Sequence, residues 1–293
     1  MTDARDLIGR TMLVTGANTG IGRATACALA ARGATLWLAC RSREKTAPVL
    51  ATIRAAGGLA DFVRLDLSDL ASVRACAEEV LSKEAPLHVL LNNAGVAGLR
   101  GRTAQGFEMA FGTNHLGHFL LTELLLPRLR QSAAPGVHAR IVNVSSKAHY
   151  DARGIDWTAL QRKTASLTGL REYAVSKLCN VLFTRSLAAG KAGNGVRSYA
   201  LHPGVIASDA WRHAPWPVRP WLKRGLLTNE EGARTSLFCA TAPELDDQDG
   251  RYYDDCKEKE PSPLARDAGL ADELWTRSMA FSGLKPGAAG QAP

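Results

Sequence analysis

The sequence predicts an α/β fold, a single doubly wound parallel sheet with helices on both faces. Two observations predict it. Apolar runs of strand length recur along the chain and alternate with longer helical stretches, the spacing of parallel β–α–β units. The first unit, Thr11-Met-Leu-Val-Thr-Gly-Ala-Asn-Thr-Gly-Ile-Gly22, turns from strand to helix through glycines at 16, 20 and 22. Without Cβ atoms in the way, backbone N–H groups and a helix N-terminus there can face a pyrophosphate.

In chain order, Met12-Leu-Val14 is the first buried strand. Arg23 to Arg32 is an Ala-rich helix closed by Gly33 at its C-cap. Ala34 to Cys40 is a second apolar strand ending in Arg41-Ser-Arg43, and helical sequence runs from there to about Arg54, stopping at Gly57-Gly58. Asp61 to Leu65 is a third strand. Asp66-Leu-Ser-Asp-Leu leads into a helix over about 70–83, with Ser68 or Asp69 as N-cap. The fourth strand, Leu87 to Leu91, enters Asn92-Asn-Ala-Gly95. A long helix is expected over about 103–130, a fifth strand over Ala139 to Val144, and a polar irregular loop over 151–169. A helix from about Glu172 to Ala188 and a sixth strand from Gly195 to Leu201 follow. Residues 209–228 hold three Pro and three Trp among basic residues and read as a surface lobe or substrate lid. A helix over Asn229 to Ala240 and a short strand near Arg251 to Tyr253 close the fold. No linker or composition shift divides the chain, so residues 1–282 are read as one domain. The Gly/Ala/Pro-rich stretch 283–293 is read as a disordered tail.

Composition excludes several classes. Nearly half the residues are apolar, enough for a full core, yet no run reaches the roughly 18–20 apolar residues of a membrane span. The first residues lack a signal-peptide pattern. Six scattered cysteines without a Cys-x-x-Cys pattern argue for reduced thiols in a cytoplasm rather than a disulfide framework. The formal charge of +8 admits a polyanionic partner, but no basic run is long or interleaved with aromatics, so nucleic acid is not expected. A basic surface suits an anionic cofactor equally well.

The chemistry gathers in the second half. Tyr173 and Lys177 in Glu172-Tyr-Ala-Val-Ser-Lys177 are i and i+4 on a predicted helix and project from one face. A free phenol titrates near pH ~10. A nearby ammonium favours the phenolate, lowers that pKa and makes Tyr173 a usable general acid/base. The fifth strand ends in Asn143-Val-Ser-Ser146, at the carboxyl edge where open α/β sheets bind ligands. A serine hydroxyl there can hydrogen-bond a carbonyl oxygen as it gains charge. Ser146 is preferred, with Ser145 as the other candidate. Asn114, in Phe111-Gly-Thr-Asn-His-Leu-Gly-His-Phe119, is a polar residue inside an apolar helical stretch. His115 and His118 lack a nearby third ligand, and no metal site is expected.

These residues, in this order, resemble the short-chain dehydrogenases/reductases. The resemblance covers about residues 10–281: Thr15-Gly-x-x-x-Gly-Ile-Gly22, Asp66, Asn92-Asn-Ala-Gly95, Asn114, Ser146, Tyr173-x-x-x-Lys177 and Pro203-Gly204. Val142-Asn-Val-Ser-Ser-Lys-Ala-His149, Ser176-Lys-Leu-Cys-Asn-Val-Leu-Phe183 and the segment from Tyr252 through Trp275 are similar to the retinol dehydrogenase branch. The resemblance implies a Rossmann-type fold and hydride transfer between a nicotinamide and a carbonyl or alcohol. It implies that Tyr173 passes the proton, Lys177 lowers its pKa and bonds the nicotinamide ribose, Ser146 orients the carbonyl and Asn114 holds a water in a proton relay. Gly16, Asn18, Thr19, Gly20, Ile21 and Gly22 would wrap the pyrophosphate and adenosine ribose. Asp66 and Leu67 would meet the adenine, Asn93 and Ala94 would lie along the cofactor, and Pro203, Gly204, Val205, Ile206 and Ser208 would face the nicotinamide. The N-terminal membrane anchor of many animal retinol dehydrogenases is not expected in this protein.

At the end of the second strand an acidic residue would favour NAD. This chain has Cys40 followed by Arg41, whose guanidinium matches a 2′-phosphate, so NADP(H) is the expected cofactor. The three tryptophans of 209–228 suit a small apolar aldehyde, ketone, alcohol or retinoid-like substrate, with packing of the lid to the body and contact with a membrane surface as their other readings. A homodimer or homotetramer is implied, with Leu178, Val181, Leu182 and Phe183 as candidate pairing residues and core packing as their other explanation. Two further readings stand: a non-catalytic NADP-binding scaffold or redox sensor, and a relative of protochlorophyllide reductase, suggested by Tyr173-x-x-x-Lys177-x-Cys179-Asn180.

Overall fold

The computed structural model describes residues 5–134, 136–204 and 227–285. Among these, the strands β1 (Thr11–Thr15), β2 (Thr35–Cys40), β3 (Leu59–Arg64), β4 (Val89–Asn92), β5 (Ala139–Val144), β6 (Val196–His202), β7 (Arg251–Asp254) and β8 (Lys257–Glu258) form one sheet. Its order is β3-β2-β1-β4-β5-β6-β7-β8. All neighbours run parallel except β8, which turns back antiparallel on β7. The fold is a Rossmann-type α/β sheet whose strand order reverses between β1 and β4, the switch point where such sheets bind ligands.

Each strand alternates between two apolar layers. Leu13, Trp37 and Ala39 face a layer with α3 (Leu70–Ser82), α5 (Gly117–Ser132) and α6 (Leu170–Ser186). Met12, Val14, Leu36 and Leu38 face the other, with α1 (Gly20–Ala31), α2 (Arg43–Ala55) and α7 (Asn229–Thr241). Burial on both faces is why these strands read as continuous apolar runs. Of the two N-cap candidates for α3, Asp69 accepts from Ala71 N at 3.0 Å, while Ser68 donates to Asp66.

The structure departs from expectation in three places. The long helix begins at Met109 rather than 103: a short α4 (Met109–Phe111) follows a turn in which Thr103 N donates to Phe107 O at 2.9 Å. Glu108 caps it by accepting from Phe111 N at 2.8 Å. Between α4 and α5 the chain makes a π turn, Gly112–Leu116. The strand β8 and the helix α8 (Ala268–Phe281) were not expected. Trp275 of α8 sits with its ring centroid 5.0 Å from Phe119 and 5.9 Å from Phe183, wedging α8 against α5 and α6. As a result Leu178, Val181, Leu182 and Phe183 are buried within the chain itself, and core packing accounts for them. The lid segment 209–228 lies outside the described residues except for Leu227 and Thr228, and of the tail only 283–285 are described. No helix among the described residues is long and apolar enough to cross a membrane.

Candidate active site

The turn after β1 packs too tightly for side chains. Gly16 has φ +67°, and a Cβ on it would lie 2.9 Å from Ala94 Cα; one on Gly22 would lie 2.4 Å from Gly16 O. The helix that follows has no acidic residue in its first turn, and its N-cap, Thr19, makes no side-chain cap. Its leading N–H groups are therefore left to meet an anion. Asn18, Gly20 and Ile21 are half-buried along this turn. Cys40 is buried against it, its thiol pushed up by burial against the pull of Thr46 and the amides of Ala17, Asn18 and Gly16. Arg41 is exposed just beyond, and its carbonyl accepts from Arg64 at 3.2 Å.

Across the switch point, Asn93 and Ala94 are stitched to β1. Both amides donate to Thr15 Oγ1 at 2.9 Å, and Asn93 Nδ2 donates to Thr15 O at 2.8 Å. Asp66 Oδ1 accepts from Ser68 N and Oγ, holding the turn after β3, and Leu67 is buried beside it. Pro203 and Gly204 are half-buried at the end of β6, whereas Val205, Ile206 and Ser208 lie outside the described residues. The protein thus presents a glycine cradle, a helix N-terminus and the exposed Arg41, a donor set that fits the pyrophosphate of a dinucleotide.

The helix α6 starts at Gly169, whose φ of +67° allows the sharp entry, and brings Tyr173 and Lys177 to one face. Lys177 is 3% exposed, and its ammonium donates to Val144 O at 2.8 Å and lies 5.5 Å from the Tyr173 ring centroid. Burial lowers its pKa to about 8. The half-buried Tyr173 phenol is pushed up by burial, while the Ser146 hydroxyl facing it pulls the other way. This differs from the expected lowering by Lys177: burial opposes the charged form of both groups, and one of the three ammonium hydrogens goes to the Val144 carbonyl.

The two serines part company. Ser145, 1% exposed, donates to Lys177 O at 2.8 Å. Ser146 caps the short turn Lys147–Asp151, accepting from Ala148 N at 3.2 Å, and faces Tyr173. Asn114 sits in the π turn, fully buried. Its Oδ1 accepts from Val96 N at 2.7 Å, and its Nδ2 donates to Val96 O and Ser176 Oγ, each at 2.9 Å. A Cβ on Gly95 would lie 3.2 Å from Asn114 Oδ1 and 3.5 Å from Lys177 Nζ, so the loop after β4 closes over both.

The sequence reading passed over Thr15, Asn92 and Asn143. The amide of Asn92 donates to Asn143 Oδ1 at 2.8 Å, and Asn143 donates to Thr184 at 2.9 Å, a buried polar line from β4 through β5 to α6. Polar residues ending apolar strands were the available signal. The pair His115 and His118 is divided: His115 meets Ser278 Oγ at 2.9 Å, and His118 meets Thr15 Oγ1 at 2.9 Å.

A parallel sheet with a glycine cradle at its switch point, and a tyrosine, lysine, serine and asparagine gathered at the carboxyl edge, define a nicotinamide-dependent dehydrogenase of the short-chain class. Residues 10–215 match the family model described as short chain dehydrogenase, and the chain belongs to that family. It is retinol dehydrogenase-like. It is 45% identical over 284 residues to human retinol dehydrogenase 12, covering 95% of this chain and 88% of the relative. It is 44% identical to human retinol dehydrogenase 11, covering 97% and 89%. Among solved structures, an uncharacterised protein from Mycobacterium paratuberculosis is similar at 34% identity and a TM-score of 0.75, covering 96% of this chain and 97% of that one. RhlG from Pseudomonas aeruginosa, solved as an active-site complex with NADP, is similar at 26% identity and a TM-score of 0.68, covering 92% and 100%. The protein is an oxidoreductase acting on CH–OH or C=O groups.

Proposed function

We propose that the protein uses NADP(H) to interconvert an apolar carbonyl compound and its alcohol, with Tyr173 as the acid/base. When bound, the nicotinamide supplies or accepts the hydride. In the reducing direction Tyr173 gives its phenolic proton to the carbonyl oxygen, and the Ser146 hydroxyl donates a hydrogen bond to that oxygen as charge builds on it. Lys177 stabilises the phenolate left behind and bonds the ribose of the cofactor. Asn114 holds a water that returns the proton by way of Lys177. The observation that carries this reading is Tyr173 and Lys177 one turn apart on the same helix, with the ammonium 5.5 Å from the ring centroid.

The cradle Gly16, Asn18, Thr19, Gly20, Ile21 and Gly22 holds the pyrophosphate and ribose, Asp66 and Leu67 the adenine, Asn93 and Ala94 the length of the cofactor, and Pro203 to Ile206 with Ser208 the nicotinamide. NADP rather than NAD is supported by Cys40 where a carboxylate would favour NAD, and by the exposed Arg41 beside it. An apolar substrate is supported by Leu99, Leu167 and Leu170. They stand 48%, 87% and 56% exposed: Leu99 and Leu167 on two loops that meet at Gly98 and Gly169, and Leu170 at the first position of the helix carrying Tyr173. The retinol dehydrogenase relatives point the same way. Six free cysteines support a reducing, cytoplasmic setting. A homodimer or homotetramer is retained on faces other than Leu178, Val181, Leu182 and Phe183.

The test follows nicotinamide absorbance with NADPH and with NADH against medium-chain aldehydes, aromatic ketones, a retinoid aldehyde and a polar sugar. Turnover of the apolar carbonyls with NADPH is expected. Tight NADPH binding with no turnover of any of them would favour the non-catalytic scaffold.

A further inference from the structure

The imidazole of His118 is 2% exposed, and the chemistry above gives it nothing to do. Its Nε2 lies 2.9 Å from Thr15 Oγ1, and its Nδ1 lies 3.0 Å from the carbonyl oxygen of Asn114. The neighbours decide the tautomer. A carbonyl oxygen only accepts, so Nδ1 carries the hydrogen and donates to Asn114. Nε2 is then a lone pair, and the Thr15 hydroxyl hydrogen meets it at 2.9 Å in preference to the Leu91 carbonyl oxygen, which lies farther off at 3.3 Å. Thr15 Oγ1 in turn accepts from the amides of Asn93 and Ala94, so one donated and two accepted bonds fill that hydroxyl. Burial holds the ring neutral, lowering its pKa to about 4.

We propose that His118 is a positioning residue that locks the dinucleotide-binding loop Asn93-Ala94 to Asn114 through one rigid ring. The proposal rests on the roles given to those residues above. Asn114 lies in the π turn, where the regular helical ladder is interrupted, and the ring gives its carbonyl a side-chain donor. The other nitrogen orients the Thr15 hydroxyl so that its lone pairs face the Asn93 and Ala94 amides. Only a side chain with two nitrogens does both. An asparagine at 118 reproduces the Nδ1 donor alone, and a glutamine reproduces the Nε2 acceptor alone.

The experiment has a ligand-free arm and a ligand arm. In the first, the ring nitrogens of His118 are observed by long-range 15N–1H NMR in the wild-type protein. A neutral ring with its hydrogen on Nδ1 is expected throughout about pH 5.5 to 8.5. A hydrogen on Nε2, or titration in that range, overturns the proposal. A double-mutant cycle of His118→Asn and Thr15→Val, read by urea unfolding, is expected to show coupling, and additive effects overturn it.

In the second arm NADPH affinity is read by fluorescence titration and kcat by nicotinamide absorbance. His118→Asn is expected to weaken NADPH binding by about tenfold with kcat within about threefold of wild type, the loss of roughly one buried hydrogen bond. His118→Gln is expected to do the reverse. Equal effects of the two replacements on both quantities contradict the two-ended role. A wild-type protein that neither binds nor oxidises NADPH would refute the proposed function instead, and the NMR and the cycle would still decide the role of His118.

Discussion

The Ser145 hydroxyl donates to the carbonyl oxygen of Lys177 at 2.8 Å, tying the end of β5 to the helix that carries the phenol. Its neighbour Ser146 is the serine turned toward Tyr173. Two adjacent residues of one type therefore have separate duties, and strand alternation is the reason: successive side chains leave a strand end in opposite directions.

This separates two variants that sequence alone would treat alike. Ser146→Ala is expected to lower kcat by about 10²- to 10³-fold, as for loss of one donor to a developing oxyanion, with about 1 kcal/mol of stability lost through its cap on the turn Lys147–Asp151. Ser145→Ala breaks a buried bond and is expected to cost about 1–2 kcal/mol of stability with a smaller effect on kcat. Steady-state kinetics and urea unfolding on both proteins check it.

Lys177 sets a pH dependence. Its pKa is about 8 in the folded chain against an ordinary value near 10.5. Between those values the unfolded chain holds the proton and the folded chain does not, so this group makes stability rise with pH, by at most about 1.4 kcal/mol per pH unit. Below about pH 8 the lysine is charged in both states and its burial is a constant cost. Tyr173 and the buried cysteines, all pushed up, act in the opposite direction as pH passes their ordinary values. The readout is therefore the difference between wild type and Lys177→Met. The variant is expected to be the more stable at pH 7, with its advantage shrinking between pH 8 and 10.

Arg41→Asp puts a carboxylate beside the end of β2. The KM for NADPH is expected to rise at least about tenfold and that for NADH to change little, because only the former has a phosphate to repel. Equal effects on both would remove Arg41 from the cofactor assignment.

Trp275→Ala removes the wedge between Phe119 and Phe183 and is expected to cost about 2–3 kcal/mol in urea unfolding. Because α8 braces α5 and α6 from behind the reacting groups, kcat at temperatures where the variant stays folded is expected to remain within about threefold.

The legible parts of this chain were those whose cause is local. The turn after β1 was readable because Gly16 and Gly22 fill spaces that a Cβ would enter. Strand β5 was readable from end to end because burial on both faces leaves six residues with one apolar signature, broken only by Asn143 and the paired Arg140. The start of the long helix was misplaced because Thr103 to Glu108 carries helix-like composition but spends its amides on a turn, and the Glu108 carboxylate caps the helix by accepting from Phe111 N. Strand β8 is two residues defined only by pairing with β7, and α8 matters through Trp275, whose partners are more than ninety positions away. Tyr173 and Lys177 were visible as a spacing. That burial opposes the charged form of both was not, because it depends on what surrounds them.

The most direct measurement of the central claim is single-turnover oxidation of bound NADPH by an apolar aldehyde, in wild type and in Tyr173→Phe, with NADPH affinity measured alongside. The variant is expected to bind NADPH within about threefold of wild type and to transfer hydride about 10²- to 10⁴-fold more slowly, the usual range for a lost general acid. Hydride transfer at the wild-type rate by the phenylalanine variant would contradict the account.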